Sequence, residues 1–275
     1  MPISSGKKSN NAEQDVVLLY HEVTDYPERW KTTRHIDPNY SQAVDRFREQ
    51  MLYLKTNSQH VVVDLRRLLT TESSGARVAI TFDDGLCGNY YHARQILQSL
   101  DFPATFFVSV DDIGLPDFMD WDQIRELAQH GHSIQSHTLS HPMLSRCTEK
   151  QISGELVKSK QIIENQTGKP VTFLSLPFGD YNDTVLRIAR EVGYQAVLTS
   201  RIEFKRSGQT SFCCGRIPIK STYSLAKFTR LLNPESWDFR KEQKFDRLKS
   251  QVKSFIGLNN YRRIYRAFKH IELTS

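Results

Sequence analysis

Residues 78–85 form an apolar, β-branched run that ends in two adjacent carboxylates: Val78-Ala79-Ile80-Thr81-Phe82-Asp83-Asp84-Gly85. The run predicts a buried β-strand. Because side chains alternate along a strand, the two carboxylates point in different directions, so one can bind a metal while the other takes a proton from water. The alternative is a strand that runs into an Asp-Gly turn with both carboxylates solvated.

Similar short β-rich runs alternate with helical patterns along the chain. The predicted strands span residues 16–20, 60–63, 78–82, 104–110, 132–136, 171–174 and 195–199. The predicted helices span residues 41–55, 89–100, 122–130, 148–167, 182–192 and 224–232. This alternation predicts an α/β fold in which a parallel sheet, open or closed into a barrel, is covered by helices.

Polar and reactive residues follow several of the predicted strands. His21 follows the first strand, Asp83 and Asp84 the third, His137 the fifth, and residues 177–179 (Pro-Phe-Gly) the sixth. In parallel α/β folds, ligand binding and catalysis concentrate where strands end and loops begin. The sequence therefore predicts one functional site at that edge of the sheet.

Two histidines lie four residues apart in Ser136-His137-Thr138-Leu139-Ser140-His141-Pro142. A pair at this spacing can contact one metal ion from a helical turn or from a tight loop after a strand. Two imidazole nitrogens and one carboxylate oxygen leave positions open for water and substrate, which is typical of a catalytic divalent site. His130 and His132 flank the turn at the other end of the strand and are predicted to lie at the surface.

These motifs together resemble the polysaccharide deacetylases (carbohydrate esterase family 4, the nodulation-type deacetylase homology). The resemblance covers roughly residues 15–232 and rests on Thr81-Phe82-Asp83-Asp84-Gly85, on Ser136-His137-Thr138 with His141-Pro142, and on Pro177-Phe178-Gly179. It implies a deformed (β/α) barrel of about seven parallel strands. It also implies a divalent metal, most often zinc, at the C-terminal mouth of that barrel.

The resemblance assigns roles to four of these residues. Asp84, His137 and His141 correspond to the metal ligands, and Asp83 to the general base that activates the attacking water. The metal polarises the acetyl carbonyl and lowers the pKa of water.

Three further residues are expected at the substrate. The backbone N–H of Phe178, beside Pro177, is a candidate donor to the oxyanion that forms on attack. Trp121 is a candidate wall for stacking a sugar ring, although an aromatic residue at such a place is more often part of the core.

Two positions depart from the family pattern. The family's Arg-x-Pro motif supplies an arginine that orients the base, but here the stretch is Ser175-Leu176-Pro177, and Arg216 is the candidate replacement. The family's Leu-x-His motif near the C-terminus holds the general acid; here Leu19-Tyr20-His21 matches it near the N-terminus instead. The poly-β-1,6-N-acetylglucosamine deacetylases show this rearrangement, so His21 is predicted as the general acid. The alternative is a buried histidine that caps the first strand.

The net charge of +6 is unevenly distributed along the 275 residues. Residues 240–275 contain ten Lys and Arg against three acidic residues, which leaves −1 for the rest of the chain. Apolar residues recur at helical spacing within this basic segment. We expect a polar arm over residues 1–14, a deacetylase barrel over 15–234 and a basic amphipathic helical extension over 235–275. The extension either packs against the barrel or contacts an anionic membrane.

Composition excludes several other classes of protein. With 39% hydrophobic and 25% charged residues, the chain has an ordinary globular composition. No apolar run approaches the ~18 residues that a membrane-spanning helix needs. The first 14 residues are polar and lack an apolar signal core, so the sequence as given predicts a cytoplasmic or membrane-peripheral protein. A protein of the cell envelope is the alternative if the sequence is a trimmed piece of a longer one.

The expected activity is metal-dependent hydrolysis of the N-acetyl group of an amino sugar, with N-acetylglucosamine in a cell-surface polysaccharide as the favoured substrate and Zn²⁺ as the favoured metal. One alternative is a deacetylase or deformylase of a lipid-linked or small N-acyl sugar. Another is a non-catalytic glycan-binding barrel, which the missing motif arginine permits. No nucleic-acid partner is expected, because no recognised binding module accompanies the basic charge.

Overall fold

A computed structural model of the chain describes residues 14–26, 37–57, 59–72, 75–206 and 211–256. Its strands are β1 (Gln14–Tyr20), β2 (Glu22–Thr24), β3 (Ser41–Ala43), β4 (His60–Val62), β5 (Ala76–Phe82), β6 (Ala104–Val108), β7 (Ser133–Ser136), β8 (Phe173–Ser175), β9 (Ala196–Leu198), β10 (Lys205–Arg206), β11 (Cys213–Cys214) and β12 (Ile217–Pro218). Its α-helices are α1 (Val44–Thr56), α2 (Leu65–Thr70), α3 (Arg94–Ser99), α4 (Trp121–Gln129), α5 (Glu149–Thr167), α6 (Asp183–Glu191), α7 (Leu225–Leu231) and α8 (Trp237–Ile256).

The main sheet is parallel and curled. Its strand order is β10-β1-β5-β6-β7-β8-β9-β11, with β10 antiparallel to β1. Strands β11 and β12 follow one another in the chain, yet β11 pairs with β9 and β12 pairs with β1. The bent segment 213–218 therefore bridges the two edges and adds a seventh parallel position to β1 and β5–β9. This architecture confirms the predicted deformed (β/α) barrel.

Side-chain alternation gives the sheet two faces. On the outer face, Val16 and Leu18 of β1 belong to the large core between sheet and helices. On the inner face, Val17, Ala79 and Phe107 form a second cluster together with Leu65 and Leu68 of α2, among others. Polar residues that continue the inner-face alternation beyond this apolar cluster consequently point into the mouth of the barrel.

Helix ends follow the local signals in the sequence. The side chains of Asn182 and Ser224 accept hydrogen bonds from backbone N–H groups in the first turns of α6 and α7, and Gly168 ends α5 in a left-handed conformation. Several predicted bounds differ from the structure by a few residues, and two of these differences have a clear cause. Helix α1 begins at Val44 because residues 41–43 pair as β3 with β2, and β6 ends at Val108 because a 3-10 turn begins at Val110.

Among the described residues, no helix is both long enough and apolar enough to cross a bilayer. Helix α8 is the part of the predicted basic extension that the structure describes. The apolar residues that recur at helical spacing from Tyr261 onward lie outside the described residues.

Candidate metal and catalytic site

Asp84, His137 and His141 meet at the mouth of the barrel. Oδ1 of Asp84 lies 3.2 Å from Nε2 of His137 and 3.3 Å from Nε2 of His141, and the two imidazole nitrogens are 3.2 Å apart. Tetrahedral zinc bound at its usual distances of about 2.0–2.1 Å places neighbouring ligand atoms about 3.3 Å apart. Three ligand atoms at these separations fit one divalent ion and leave room for further ligands.

The orientation of His137 supports the same fit. Its Nδ1 lies 2.9 Å from the carbonyl oxygen of Ser175, which can only accept a hydrogen bond. Nδ1 therefore carries the proton, and in the neutral ring Nε2 presents its lone pair to Asp84 and His141. A backbone carbonyl behind a metal-binding histidine is a common arrangement because it sets the tautomer and the ring orientation.

Unusual backbone conformations occur at two of the candidate ligands and directly after the third. Asp84, Thr138 and His141 have φ values of 74°, 72° and 56°, which residues other than glycine seldom adopt. The carboxylate of Glu155 on α5 accepts hydrogen bonds from the backbone N–H groups of residues 139 and 140, between the two histidines. Backbone strain held in place by such contacts is often found at functional sites.

Asp83 is held by an arginine from the bridging segment. Its Oδ1 and Oδ2 accept hydrogen bonds from the two terminal nitrogens of Arg216, at 2.8 and 2.7 Å. Ser175 donates its hydroxyl to Oδ2 at 2.9 Å, and its own Oγ accepts from Arg216 at 2.8 Å. The Arg216 side chain is almost fully buried and lies over the ring of Phe107. An arginine therefore does contact the candidate base, and it comes from the segment between β11 and β12 instead of from the motif position.

The charges in this cluster fix its protonation. Burial favours the neutral form of Asp83, but Arg216 and His137 outweigh burial and hold its pKa below the usual value. Burial likewise opposes ionisation of Asp84, yet the imidazoles of His137 and His141 beside its carboxylate bring the pKa well below normal. Asp83 is thus an ionised carboxylate at neutral pH, as a proton acceptor must be.

His21 stands beside Asp83 at the ends of neighbouring strands. Strands β1 and β5 are parallel with Tyr20 opposite Phe82, so the next residues leave the sheet side by side. Burial lowers the pKa of His21, although the charges of Asp84 and Asp83 act in the opposite direction. Its Nδ1 is buried and has no hydrogen-bond partner among the described residues. The structure therefore places this histidine near both carboxylates.

A family model named Polysaccharide deacetylase matches residues 70–197, which include Asp83, Asp84, His137 and His141. The chain carries a polysaccharide deacetylase domain. It is 34% identical over 151 residues to YxkH of Bacillus subtilis, which is named as a polysaccharide deacetylase; this covers 55% of the chain and 54% of that protein. It is 32% identical over 124 residues to a peptidoglycan-N-acetylglucosamine deacetylase of Bacillus cereus, which covers 45% of the chain and 56% of that protein. The chain thus spans about half the length of these curated relatives.

The fold shared with solved structures covers more of the chain than that match. The structure of the Streptococcus pyogenes deacetylase PplD in complex with acetate superposes with a TM-score of 0.71 at 24% identity, covering 80% of this chain and 99% of that one. At this identity the likeness shows the fold alone. The superposition nevertheless covers a longer part of this chain than the 128 residues that match the family model.

Residues 177–179 form a 3-10 turn beside the candidate metal ligands. Phe178 is half exposed and adopts φ of 61°, and its ring lies 4.8 Å from that of His141, measured between centroids. Pro177 is buried at the start of the turn. The turn thus brings the Phe178 backbone to the site, and its role as an oxyanion donor stays a prediction.

Trp121 lies at the start of α4, where it is partly buried against the main core of the deacetylase domain. This packing is the more common role of an aromatic residue at such a place, and sugar stacking by Trp121 stays a prediction.

Sequence reasoning missed the contributions of Ser175 and Glu22. Ser175 occupies the position of the motif arginine, which is the signal that could have identified it. Glu22 on β2 is completely buried, and the backbone of Gly88 lies directly beside its carboxylate. Burial raises its pKa well above the usual value. A Cβ atom on Gly88 would lie 1.9 Å from Oε1 of Glu22, so glycine is required at that contact.

Proposed function

We propose that the deacetylase domain hydrolyses the N-acetyl group of an N-acetylated amino sugar and releases acetate. The observation that carries this proposal is the position of Asp83: the ionised carboxylate forms an ion pair with Arg216 and lies beside three side chains that fit one divalent ion. A glycan-binding barrel without activity needs neither an oriented base nor a metal cluster. These features therefore favour an enzyme.

Asp84, His137 and His141 would hold the metal, and Zn²⁺ is the ion we propose. When bound, a divalent ion supplies a Lewis acid that polarises the acyl carbonyl and lowers the pKa of water. Asp83 accepts the proton of the attacking water, and Arg216 keeps its carboxylate ionised and oriented. The oxygen of water bonds to the acetyl carbon, and the backbone N–H of Phe178 stabilises the oxyanion.

His21 completes the reaction in this proposal. As the bond between the acetyl carbon and the sugar nitrogen breaks, His21 donates a proton to the departing amine. The nearby carboxylates of Asp84 and Asp83 oppose the effect of burial and favour the protonated imidazole that this step needs. The products are acetate and a free amino sugar. A general acid is needed because an amine anion is a very poor leaving group.

The specific substrate we propose is N-acetylglucosamine in a cell-surface polysaccharide. The name of the Bacillus cereus relative supports this choice. A lipid-linked N-acetyl sugar offers the same reacting group and remains the second candidate. We also propose that a barrel over residues 15–234 does the chemistry, while the extension over 235–275 makes peripheral contact with a membrane.

Acetate release from N-acetylglucosamine oligomers, measured with zinc-loaded full-length protein, tests the proposal. Asp83→Asn is expected to slow release by roughly 10²–10⁴-fold, since it removes the proton acceptor. Its zinc content, measured by atomic absorption, is expected to match that of the unaltered protein. Asp45→Asn, at an exposed position on α1, is the matched control. Full acetate release by Asp83→Asn, or no release by the unaltered zinc-loaded protein, would overturn the assignment.

A further inference from the structure

Helix α8 separates its charges between two faces. Its sequence contains six basic residues and three acidic ones, Asp238, Glu242 and Asp246. All three acidic side chains are engaged with the rest of the domain. Asp238 pairs with Arg230, Glu242 pairs with Lys220 and Lys227 at 3.0 and 2.7 Å, and Asp246 accepts a hydrogen bond from the backbone of Ile202.

The face toward the barrel is well anchored. Phe239 is buried and packs on Phe204 with ring centroids 4.6 Å apart. Burial acts against ionisation of Glu242, but Lys227 and Lys220 outweigh it and hold the pKa of that carboxyl at about 2. Helix α8 is therefore attached to the barrel by the buried Phe239, by ion pairs and by hydrogen bonds to the backbone of Ile202, and the opposite side of the helix faces solvent.

We call this opposite side the outer face and define it by Trp237, Lys241, Lys244, Phe245 and Leu248. These positions recur every three to four residues and so share one side of the helix. The three apolar side chains are 69%, 51% and 55% exposed, an unusual exposure for side chains of this size. Lys241 lies over the Trp237 ring, 4.7 Å from its centroid. The outer face thus combines large apolar groups with positive charge.

We propose that the outer face of α8 binds an anionic lipid surface. Aromatic and leucine side chains flanked by lysines are the pattern of helices that lie in a membrane interface. Such helices insert their apolar groups at the boundary between headgroups and acyl chains while the lysines contact acidic headgroups. Membrane contact belongs to the proposed function, so this inference rests on it and specifies the surface and the lipid charge.

Electrostatic charge favours an anionic lipid surface over the chain's own C-terminal segment as the partner of the outer face. Residues 257–275 contain four Lys or Arg and one acidic residue, so they repel a basic helix face. Acidic headgroups attract both segments.

Vesicle flotation of the full-length protein tests the inference. We expect the protein to float with phosphatidylcholine vesicles that contain 30% phosphatidylglycerol, and to stay behind with pure phosphatidylcholine. Since each basic residue contributes roughly fivefold to such binding, Lys241→Gln with Lys244→Gln is expected to weaken it about 25-fold. The matched control is Lys150→Gln with Lys169→Gln, which removes two exposed lysines elsewhere and is expected to leave binding unchanged.

A second pair of variants tests the apolar groups. Phe245→Ser with Leu248→Ser is expected to weaken vesicle binding while it leaves acetate release from soluble oligomers unchanged. Equal flotation of all variants, or binding that 0.5 M salt does not weaken, would contradict the inference. Sedimentation as a dimer that these two substitutions dissociate would assign the outer face to a second copy instead. A protein that floats as expected but releases no acetate would overturn the proposed function and leave the membrane surface standing.

Discussion

Arg216 donates hydrogen bonds of 2.8 and 2.7 Å to the two carboxylate oxygens of Asp83. Arg216 lies in the bridging segment that joins the two edges of the barrel. Asp83 directly follows β5 and Arg216 lies between β11 and β12, so the paired groups are far apart in sequence, and both are almost fully buried. Removal of one partner from such a pair leaves an uncompensated buried charge. The pair is therefore a structural element of the closed barrel as well as a candidate catalytic device.

Arg216→Lys is expected to lower kcat/KM for acetate release by roughly 10- to 100-fold at pH 7, because lysine cannot form the two-pronged contact. The pKa of Asp83 is also expected to rise toward or above its usual value, since burial is then less well opposed. The acidic limb of the pH profile then moves to higher pH. Arg201→Lys, at an exposed position nearby, is the control. A loss of activity without movement of that limb would show that Arg216 acts only on folding.

Zinc is expected to stabilise the folded protein through Asp84, His137 and His141. At about a hundredfold excess over its dissociation constant, an ion that binds only the folded state contributes about 2.7 kcal/mol, which corresponds to a Tm increase of roughly 5–10 °C. Thermal unfolding with a chelator and then with added zinc measures this difference. In His141→Gln the increase is expected to be much smaller. Equal Tm values in chelator and in zinc would argue against a metal site.

His21→Gln is expected to separate amide hydrolysis from ester hydrolysis. The sugar amine needs a proton to leave, whereas the 4-nitrophenolate of 4-nitrophenyl acetate does not. We expect roughly a hundredfold loss or more with N-acetylglucosamine oligomers and little change with the ester. His130→Gln, at an exposed histidine, serves as the control. An equal loss on both substrates would instead indicate a histidine that only caps β1.

Gly88→Ala is expected to destabilise the fold by roughly 1–3 kcal/mol. The new methyl group would lie 1.9 Å from Oε1 of Glu22 and 2.3 Å from the carbonyl oxygen of Val23, and the latter is backbone that cannot easily move. Gly154→Ala in α5 is the matched control, because no atom lies within 4 Å of the added carbon. That change is expected to be neutral or to stabilise the helix by up to about 1 kcal/mol. Urea unfolding of both variants measures the contrast, and equal midpoints would contradict it.

His132 is expected to make the fold sensitive to mild acid. Burial lowers its pKa to about 4 from the usual value of 6.5. Between these values the unfolded chain binds a proton that the folded protein does not, so stability falls as the pH drops from 6.5 toward 4. The loss reaches at most about 3 kcal/mol. His132→Phe is expected to reduce the pH dependence of urea unfolding over this range, and an unchanged slope would show that His132 is not responsible.

The spacing of apolar residues predicted most of the barrel, because most of its strands and helices are long enough for that spacing to be recognised. Strands β11 and β12 have two residues each and carry no such signal, so the bridging segment could not be predicted as a strand. His132 was predicted at the surface from its place beside a turn. The structure buries it edge-on against Phe106, so that prediction was wrong.

The site was predictable to a similar extent. Motifs predicted that Asp84, His137 and His141 lie together, as the structure places them, and they singled out Arg216 because an arginine was missing elsewhere. The roles of these residues stay predictions. The hydrogen bonds of Ser175 to both Asp83 and Arg216 depend on the curl of the whole sheet. The burial of Glu22 depends equally on packing against the distant Gly88. Neither contact can be predicted from the residues that neighbour it in the sequence.

The bridging segment also orders events during synthesis of the chain. The three candidate metal ligands have all been synthesised by residue 141, whereas Arg216 leaves the ribosome much later. Until β11 and β12 dock, Asp83 lacks its buried counter-charge. A nascent chain, or one cut before residue 213, therefore contains all three candidate ligands but lacks the arginine that orients Asp83. The proposed base is oriented in the same step that joins the two edges of the barrel.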